Sequence, residues 1–486
     1  MDNFKHKALN VLSDNKVVVL FVVLCIGAIY VSGDPLTFVA RELFTRIGRN
    51  GFMVLSLLIP ILAGMGLNFG ITIGAIAAQI AVFWVVYWGF GGISGFLLTA
   101  AIATPIAMFF GWLVGKLFNT MKGAEMIAGM ILGYFADGLY QLFFLFIIGG
   151  VIPVKNETLI IKGGVGVKNT IDLTGNLKYA LDTVSMLSLA KLAVWVMVAI
   201  VAVRLVLRFM GRLESPITQD AILAVAAVLI YGLTNVPAIK SFMGTDRLLL
   251  LDGVIIAIAA LAAFQLWRIV DNKLIRRNED FGIVKPVVIM VLCGAAYLLT
   301  YLQSVRKILV YVDIPVATYL CIVLLCVFND MLLRTRLGQN MRTVGHNRVV
   351  ANVAGIDVDR TRIIAMVLST VLACWGQLVY LQNIGTFATY AAHTQVSLFA
   401  IAALLVGGAS IQKATNSQAI IGVILFHTLF IVAPQAGTRL FRNPQLGEYF
   451  RVFVAYGVIA VSLAMHAWKR KPKVVVPTEV EKEPEL

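Results

Sequence analysis

Two carboxylates stand inside apolar sequence. In KGAEMIAGMILGYFADGLYQ, residues 122–141, Glu125 falls near one mouth of an apolar run and Asp137 near its middle. A carboxylate at membrane depth is costly, so it either pairs with a neighbouring helix or serves a solute or proton path. A second polar set lies in IPILAGMGLNFGITIGAIAAQIA, residues 59–81, where Asn68, Thr72 and Gln79 interrupt small and apolar side chains. Asn68 and Thr72 share a helical face, and Gln79 lies near it two turns on. Amides and hydroxyls there can hydrogen-bond a neutral polar solute without the desolvation cost of fixed charge. Gly66, Gly70 and Gly74 recur at the spacing that lets helices approach closely. Helix packing alone also accounts for these glycines, and both readings stay open.

A third set carries no buried charge. In MRTVGHNRVVANVAGIDVDR, residues 341–360, Asn347 can cap a short helix and Gly355 can end it. Val349, Val350, Val353 and Ala354 supply an apolar stripe, flanked by Arg342, Arg348, Arg360 and Arg362. A basic, capped helix between two membrane runs suits docking of a separate soluble motor better than it suits a pore. Arg342, Gly345, His346, Asn347, Arg348 and Gly355 are its expected contact residues. Other chemistries lack their signatures. No GxxxxGK[ST], HExxH, CxxC or GxSxG pattern occurs. His346, His393, His427 and His466 are scattered, and the five cysteines fall inside apolar runs without metal-ligand spacing. The chain is not expected to be an enzyme or to hold a metal or cofactor.

The elements that must position these groups are membrane helices. The 486-residue chain is 60% hydrophobic and 13% charged. Its mean hydropathy is +0.89. Runs long enough to cross a hydrocarbon core predict an all-α polytopic bundle of about fourteen spans. They lie near 17–32, 51–67, 70–88, 93–115, 124–150, 184–209, 219–236, 248–267, 283–302, 314–333, 361–383, 396–412, 417–433 and 450–467. An even number puts both termini on one side. The clusters Arg204/Arg208/Arg212, Arg268/Lys273/Arg276/Arg277 and Lys469/Arg470/Lys471 make that side cytoplasmic. Because the basic residues end apolar runs rather than forming a soluble domain, the net charge of +15 does not indicate nucleic acid. The segment 34–48, DPLTFVARELFTRIG, predicts an external amphipathic helix capped by Asp34 and ended by Gly48. Residues 151–183 form a polar external loop, a candidate docking surface. The basic N-terminus precedes a retained first span without a cleavage site, and residues 471–486 read as a disordered tail.

GHNRVVANVAGIDVDRTRIIAMVLSTVLACWGQLVYLQNIG, residues 345–385, resembles membrane permeases of bacterial ABC importers in the branched-chain amino acid, ribose and nucleoside superfamily. Gly345, Asn347, Ala351, Gly355 and Ile356 match the family pattern, and Asn352 replaces an alanine. LNFGITIGAIAAQ keeps Ile73, Gly74, Ala75 and Gln79 of a family stretch. KGAEMIAGMILGY keeps Gly123, Glu125, Ile127 and Tyr134, with Gly133 in place of an asparagine. DPLTFVARELF is similar to the external amphipathic helix of permeases that work with nucleoside-type or basic-membrane-lipoprotein-type binding proteins, and the chain as a whole resembles these or simple-sugar permeases most.

The resemblance covers about 1–153 and 310–470. It implies an N-terminal permease half at 1–183, a four-span insertion at 184–309 and a C-terminal half at 310–470. It further implies a subunit of the bacterial cytoplasmic (inner) membrane that moves a nucleoside, simple sugar or flavin-like vitamin by alternating access. The expected partners are two ABC ATPase subunits that bind the ATP, a second permease (the same or different), an external solute-binding lipoprotein and membrane lipid. On this reading 341–356 is the coupling helix, and Asn68, Thr72, Gln79, Glu125 and Asp137 mark the substrate path. The alternative is an ion-coupled secondary transporter using Asp137 or Glu125.

Overall fold

A bilayer core offers no hydrogen-bond partners to a bare backbone, so apolar runs satisfy themselves as helices. The computed structural model describes residues 15–154, 156, 158–161, 165–211, 217–275 and 282–468, and it is almost wholly helical. The tail at 471–486 and the basic residues Arg212, Arg276, Arg277 and 469–471 lie outside these. The helices that build the core are α1 (Lys16–Ser32), α2 (Leu36–Ser56), α3 (Leu58–Leu62), α4 (Ile71–Tyr87), α5 (Gly92–Thr120) and α6 (Glu125–Leu142). After the middle of the chain come α7 (Met186–Phe209), α8 (Ile217–Asn235), α9 (Pro237–Met243), α10 (Leu250–Ile269), α11 (Val284–Leu299) and α12 (Gln303–Tyr311). The C-terminal set is α13 (Val316–Arg334), α14 (Arg336–His346), α15 (Arg348–Val353), α16 (Val358–Ile384), α17 (Ala392–Val406), α18 (Asn416–Phe441) and α19 (Pro444–Trp468).

Every expected span except 51–67 overlaps a helix of its own. Among the described residues, eight helices are long and apolar enough to cross a membrane, or nine if α11 and α12, bent by 85°, count as one. The helices α1, α4 and α17 are apolar but shorter.

The N-terminal region departs from expectation. Segment 34–48 is no separate helix. It runs on through Gly48 and Gly51 as α2, with Pro35 rather than Asp34 at its N-cap. Tertiary packing outweighs the helix penalty of glycine here. The bare backbone at Gly48 and Gly51 lets Tyr319 and Ile322 of α13 lie close against it. The expected span 51–67 instead breaks after Leu62, and residues 63–70 form a loop that turns the chain into α4.

Two buried clusters hold the bundle. One joins α1 to α4 with α16, α17 and α18 through residues such as Phe21, Met53, Leu58, Met366 and Phe426. The other joins α4, α5 and α16 to the loop after α6 through Phe83, Phe144, Leu378 and Phe387. That loop is built rather than merely polar. Leu159, Val167, Ile171 and Leu173 are buried in it. Its strand β1 (Thr170–Asp172) pairs antiparallel with β4 (Thr386–Ala388), Ile171 opposite Phe387. A second two-stranded pair, β2 (Arg247–Leu249) and β3 (Asp313–Pro315), brackets α10 to α12. Helices α7, α8, α10 and α11 contribute no buried residue to either main cluster. Leu192, Trp195, Val228 and Leu292 on them face outward.

Candidate functional site

The break between α3 and α4 is the first functional element. Gly64 and Gly66 adopt φ of 73° and 72°, the left-handed region that glycine enters without strain. Within this loop Asn68 is fully buried, and neither atom of its amide has a hydrogen-bond partner. Buried polar groups of this kind are rare and mark sites of strain or function. Thr72 opens α4 and lines a cavity of about 400 Å³. The cavity is walled by Tyr134 of α6, by Thr394, Gln395 and Ser397 of α17, by Phe430 of α18 and by Arg451 of α19. The wall mixes aromatic and aliphatic side chains with hydroxyls and one amide, and the Arg451 guanidinium lies over Phe430 at 5.0 Å.

Of the five residues expected on a solute path, only Thr72 lines this cavity. Gln79 and Asp137 meet instead on His393. His393 Nε2 lies 2.6 Å from Asp137 Oδ1, and its Nδ1 lies 2.9 Å from the Gln79 side-chain oxygen. Gln141 donates to the other carboxylate oxygen at 3.1 Å. His393 is fully buried at the start of α17, directly before the cavity-lining Thr394 and Gln395. Sequence reasoning set His393 aside as scattered. The signal was present as the polar triplet His393-Thr394-Gln395, which opens an otherwise apolar run.

Glu125 stands elsewhere. It begins α6 at the end of the bundle that carries α14 and α15, and its Oε1 accepts from Arg348 at 2.6 Å and Arg362 at 2.5 Å. Arg348 also donates to the Gly64 carbonyl at 3.0 Å. The expected helix over 341–356 is two helices. Thr335 caps α14, which ends at His346. Asn347 is extended (φ −155°) and caps α15 by accepting from the N–H groups of Val349 and Val350. A cap residue must leave helical geometry, so a helix cannot run through it. Gly355 follows with φ of 77° in open space. Arg342, His346 and Asn347 are exposed. Val349, Val350 and Val353 are 73%, 56% and 84% exposed, so the apolar stripe faces away from the bundle.

The helix α14 leans on the break. Gly345 packs against it so closely that a Cβ there would meet the Leu62 carbonyl oxygen at 2.2 Å. At the opposite end of the bundle, Asp182 is buried and accepts from Thr318, Gln382 and Asn383. Arg49 donates to the same Asn383 at 2.9 Å. This network ties the outer loop to α13 and α16, and no sequence pattern pointed to it. Nearby, the Thr174 hydroxyl and amide hold the exposed Asp172 carboxyl below its usual range.

A broken span at membrane depth is tolerated where it borders a cavity, and here a capped helix presses on the break. Residues 221–463, half of the chain, match the family described as "Branched-chain amino acid transport system / permease component". The chain belongs to this family. The match begins inside α8, so it takes in part of the presumed insertion as well as the C-terminal half. Among curated relatives, the galactose/methyl galactoside import permease protein MglC of Salmonella typhimurium is 29% identical over 136 residues, 28% of this chain and 38% of that protein. The autoinducer 2 import system permease protein LsrC of Klebsiella pneumoniae is 28% identical over 152 residues, 31% of this chain and 43% of that protein. The probable ABC transporter permease protein y4mJ of Sinorhizobium fredii is 34% identical over 127 residues, 26% and 37% of the two chains. The chain spans roughly two fifths of each of these relatives. No solved structure matches it. As a permease-family chain it is a multi-pass transport component of the inner membrane and not an enzyme.

Proposed function

We propose that this chain is the permease subunit of an ATP-binding-cassette importer for a small polar solute, moved by alternating access. One observation carries the reading. The helix α15, with its exposed apolar face, is joined to α14 through the single residue Asn347, and α14 touches the broken span at Gly345. A soluble ATPase docking on α15 therefore pushes on the loop that borders the cavity. That end of the bundle also carries Arg334, Arg336 and Arg342, which agrees with a cytoplasmic face. Two ATPases, a second permease and an external lipoprotein complete the assembly. The outer loop pinned by β1 and β4 is the surface offered to the lipoprotein.

Solute class follows from the wall. A cavity of about 400 Å³ falls in the size range of small-ligand sites. Thr72, Thr394, Gln395 and Ser397 offer hydroxyl and amide groups, and Tyr134 and Phe430 offer aromatic faces. That combination suits a polyhydroxylated ring such as a monosaccharide. It also accommodates a nucleoside or flavin-like vitamin. The relatives named for galactoside and autoinducer 2 import make the sugar the first candidate.

The deciding experiment is uptake into proteoliposomes holding the chain with and without its ATPase, using labelled galactose, a nucleoside and riboflavin. The importer reading expects uptake only with ATP and ATPase, insensitive to a collapsed proton gradient. It expects Asp137→Asn to keep that ATP dependence. Uptake without any ATPase that follows the proton gradient and disappears in Asp137→Asn would make the chain a secondary transporter.

A further inference from the structure

Glu125 accepts three hydrogen bonds through one carboxylate. It is the first residue of α6 and 6% exposed. Its Oε1 accepts from Arg348, the first residue of α15, and from Arg362 in α16. Its Oε2 accepts the Gly123 N–H at 2.9 Å. Arg348 uses the same Nη2 to reach the Gly64 carbonyl in the break. The docking helix, the broken span, the cavity wall α6 and the central helix α16 thus meet at a single charge.

The two arginines are not equivalent. The Arg362 side chain is fully buried, whereas that of Arg348 is 32% exposed. Withdrawing the only partner of a buried carboxylate would strand a charge at high cost. Here Arg362 stays behind, so Arg348 can leave without stranding Glu125. Its departure also releases Gly64, whose left-handed glycine loop can adopt other backbone conformations. The break leads within a few residues to Phe69 and Thr72 on the cavity wall, and α6 supplies Gly133 and Tyr134 to the same wall.

We propose that Glu125 is a positioning residue for coupling rather than a solute contact. It holds Arg348 in the resting state, and movement of α15 by the ATPase exchanges that contact and so transmits docking to the break and to α6. This rests on the importer reading. It goes beyond it by assigning the switch to one carboxylate with a fixed and an exchangeable partner.

Two measurements test it. In proteoliposomes with the ATPase and binding protein, Glu125→Gln should lower the solute moved per ATP hydrolysed by at least about tenfold, a loss of coupling energy of about 1.4 kcal/mol. Arg348→Lys, which keeps the charge, should restore most of that ratio relative to Arg348→Gln. A merely structural role would lower hydrolysis and uptake together and leave the ratio unchanged, and that result would overturn the proposal. The second measurement needs no ATPase. By hydrogen exchange on the full chain in nanodiscs, residues 63–70 and 348–353 should exchange about tenfold faster in Glu125→Gln and in Arg348→Gln, with α16 and α18 unchanged. Wild-type protection of both segments in both variants would also overturn it. If the wild-type chain shows no ATP-driven uptake, the importer reading fails by itself, and the exchange arm still decides whether Glu125 ties α15 to the break.

Discussion

Replacing Gly345 by alanine should weaken this protein, although the same change stabilises most helices. Gly345 lies within α14, and exchange of an interior helical glycine for alanine ordinarily gains about 0.5–1 kcal/mol. Here the added methyl would lie 2.2 Å from the Leu62 carbonyl oxygen and 3.0 Å from the Gly64 nitrogen. Both neighbours are backbone, so no flexible side chain can swing away. The loop and α14 must separate by roughly 1 Å, and overpacking of this kind costs about 1–3 kcal/mol. The contact outweighs the propensity, leaving a net loss of about 0–2.5 kcal/mol, centred on roughly 1 kcal/mol. Gly355→Ala is the internal control. Its φ of 77° carries a left-handed strain of about 1–2 kcal/mol, yet nothing lies within 4 Å of the new methyl. The two variants therefore cost similar amounts for different reasons. Thermal melting in nanodiscs, read with hydrogen exchange over 63–70, separates them. Gly345→Ala should lower the melting temperature, expose the break to exchange and slow ATP-driven uptake. Gly355→Ala should lower stability without loosening residues 63–70. A raised melting temperature for Gly345→Ala with the break still protected would refute the claim that α14 is pressed on the broken span.

Further expectations follow from the same geometry. Asn347→Ala removes the acceptor for the Val349 and Val350 N–H groups and should cost about 1 kcal/mol. Because α15 is only six residues long, its amides should then exchange near the unprotected rate, and unchanged protection would deny the cap its role. His393→Ala removes one of the two hydrogen-bond partners of the half-buried Asp137 carboxylate and leaves the buried Gln79 side-chain oxygen unpaired, and should destabilise by about 1–3 kcal/mol. A melting temperature equal to wild type would show that the Asp137–His393–Gln79 cluster does not hold α6 to α17. Cysteines placed at Thr72 or Gln395 should be shielded from a thiol reagent by transported solute, whereas cysteines along α7, α8, α10 and α11 should not. Shielding confined to those four helices would move the path out of the cavity beside the break.

Local physics made much of this protein legible in its sequence. Apolar runs in a bilayer satisfy their backbone as helices, and every expected span except 51–67 overlaps a helix of its own. Asn347 and Gly355 act within a few residues of themselves, so the cap and turn around α15 could be read from spacing. What spacing could not reach were the partners. Gly48 reads as a helix end until Tyr319, far away in the chain, packs on it and keeps α2 continuous. Glu125 and Asp137 look alike in the sequence, as carboxylates within one apolar helix. Only the tertiary structure sends the first to Arg348, 223 residues away, and the second to His393, 256 residues away. Burial of a charge dictates that it must find a partner, while which partner depends on how distant helices cross. The sequence by itself therefore determined the membrane class, most of the helices and the cap and turn around α15. The cavity wall, the partners of Glu125 and the grip of α14 on the break were decided by contacts between segments that no local rule connects.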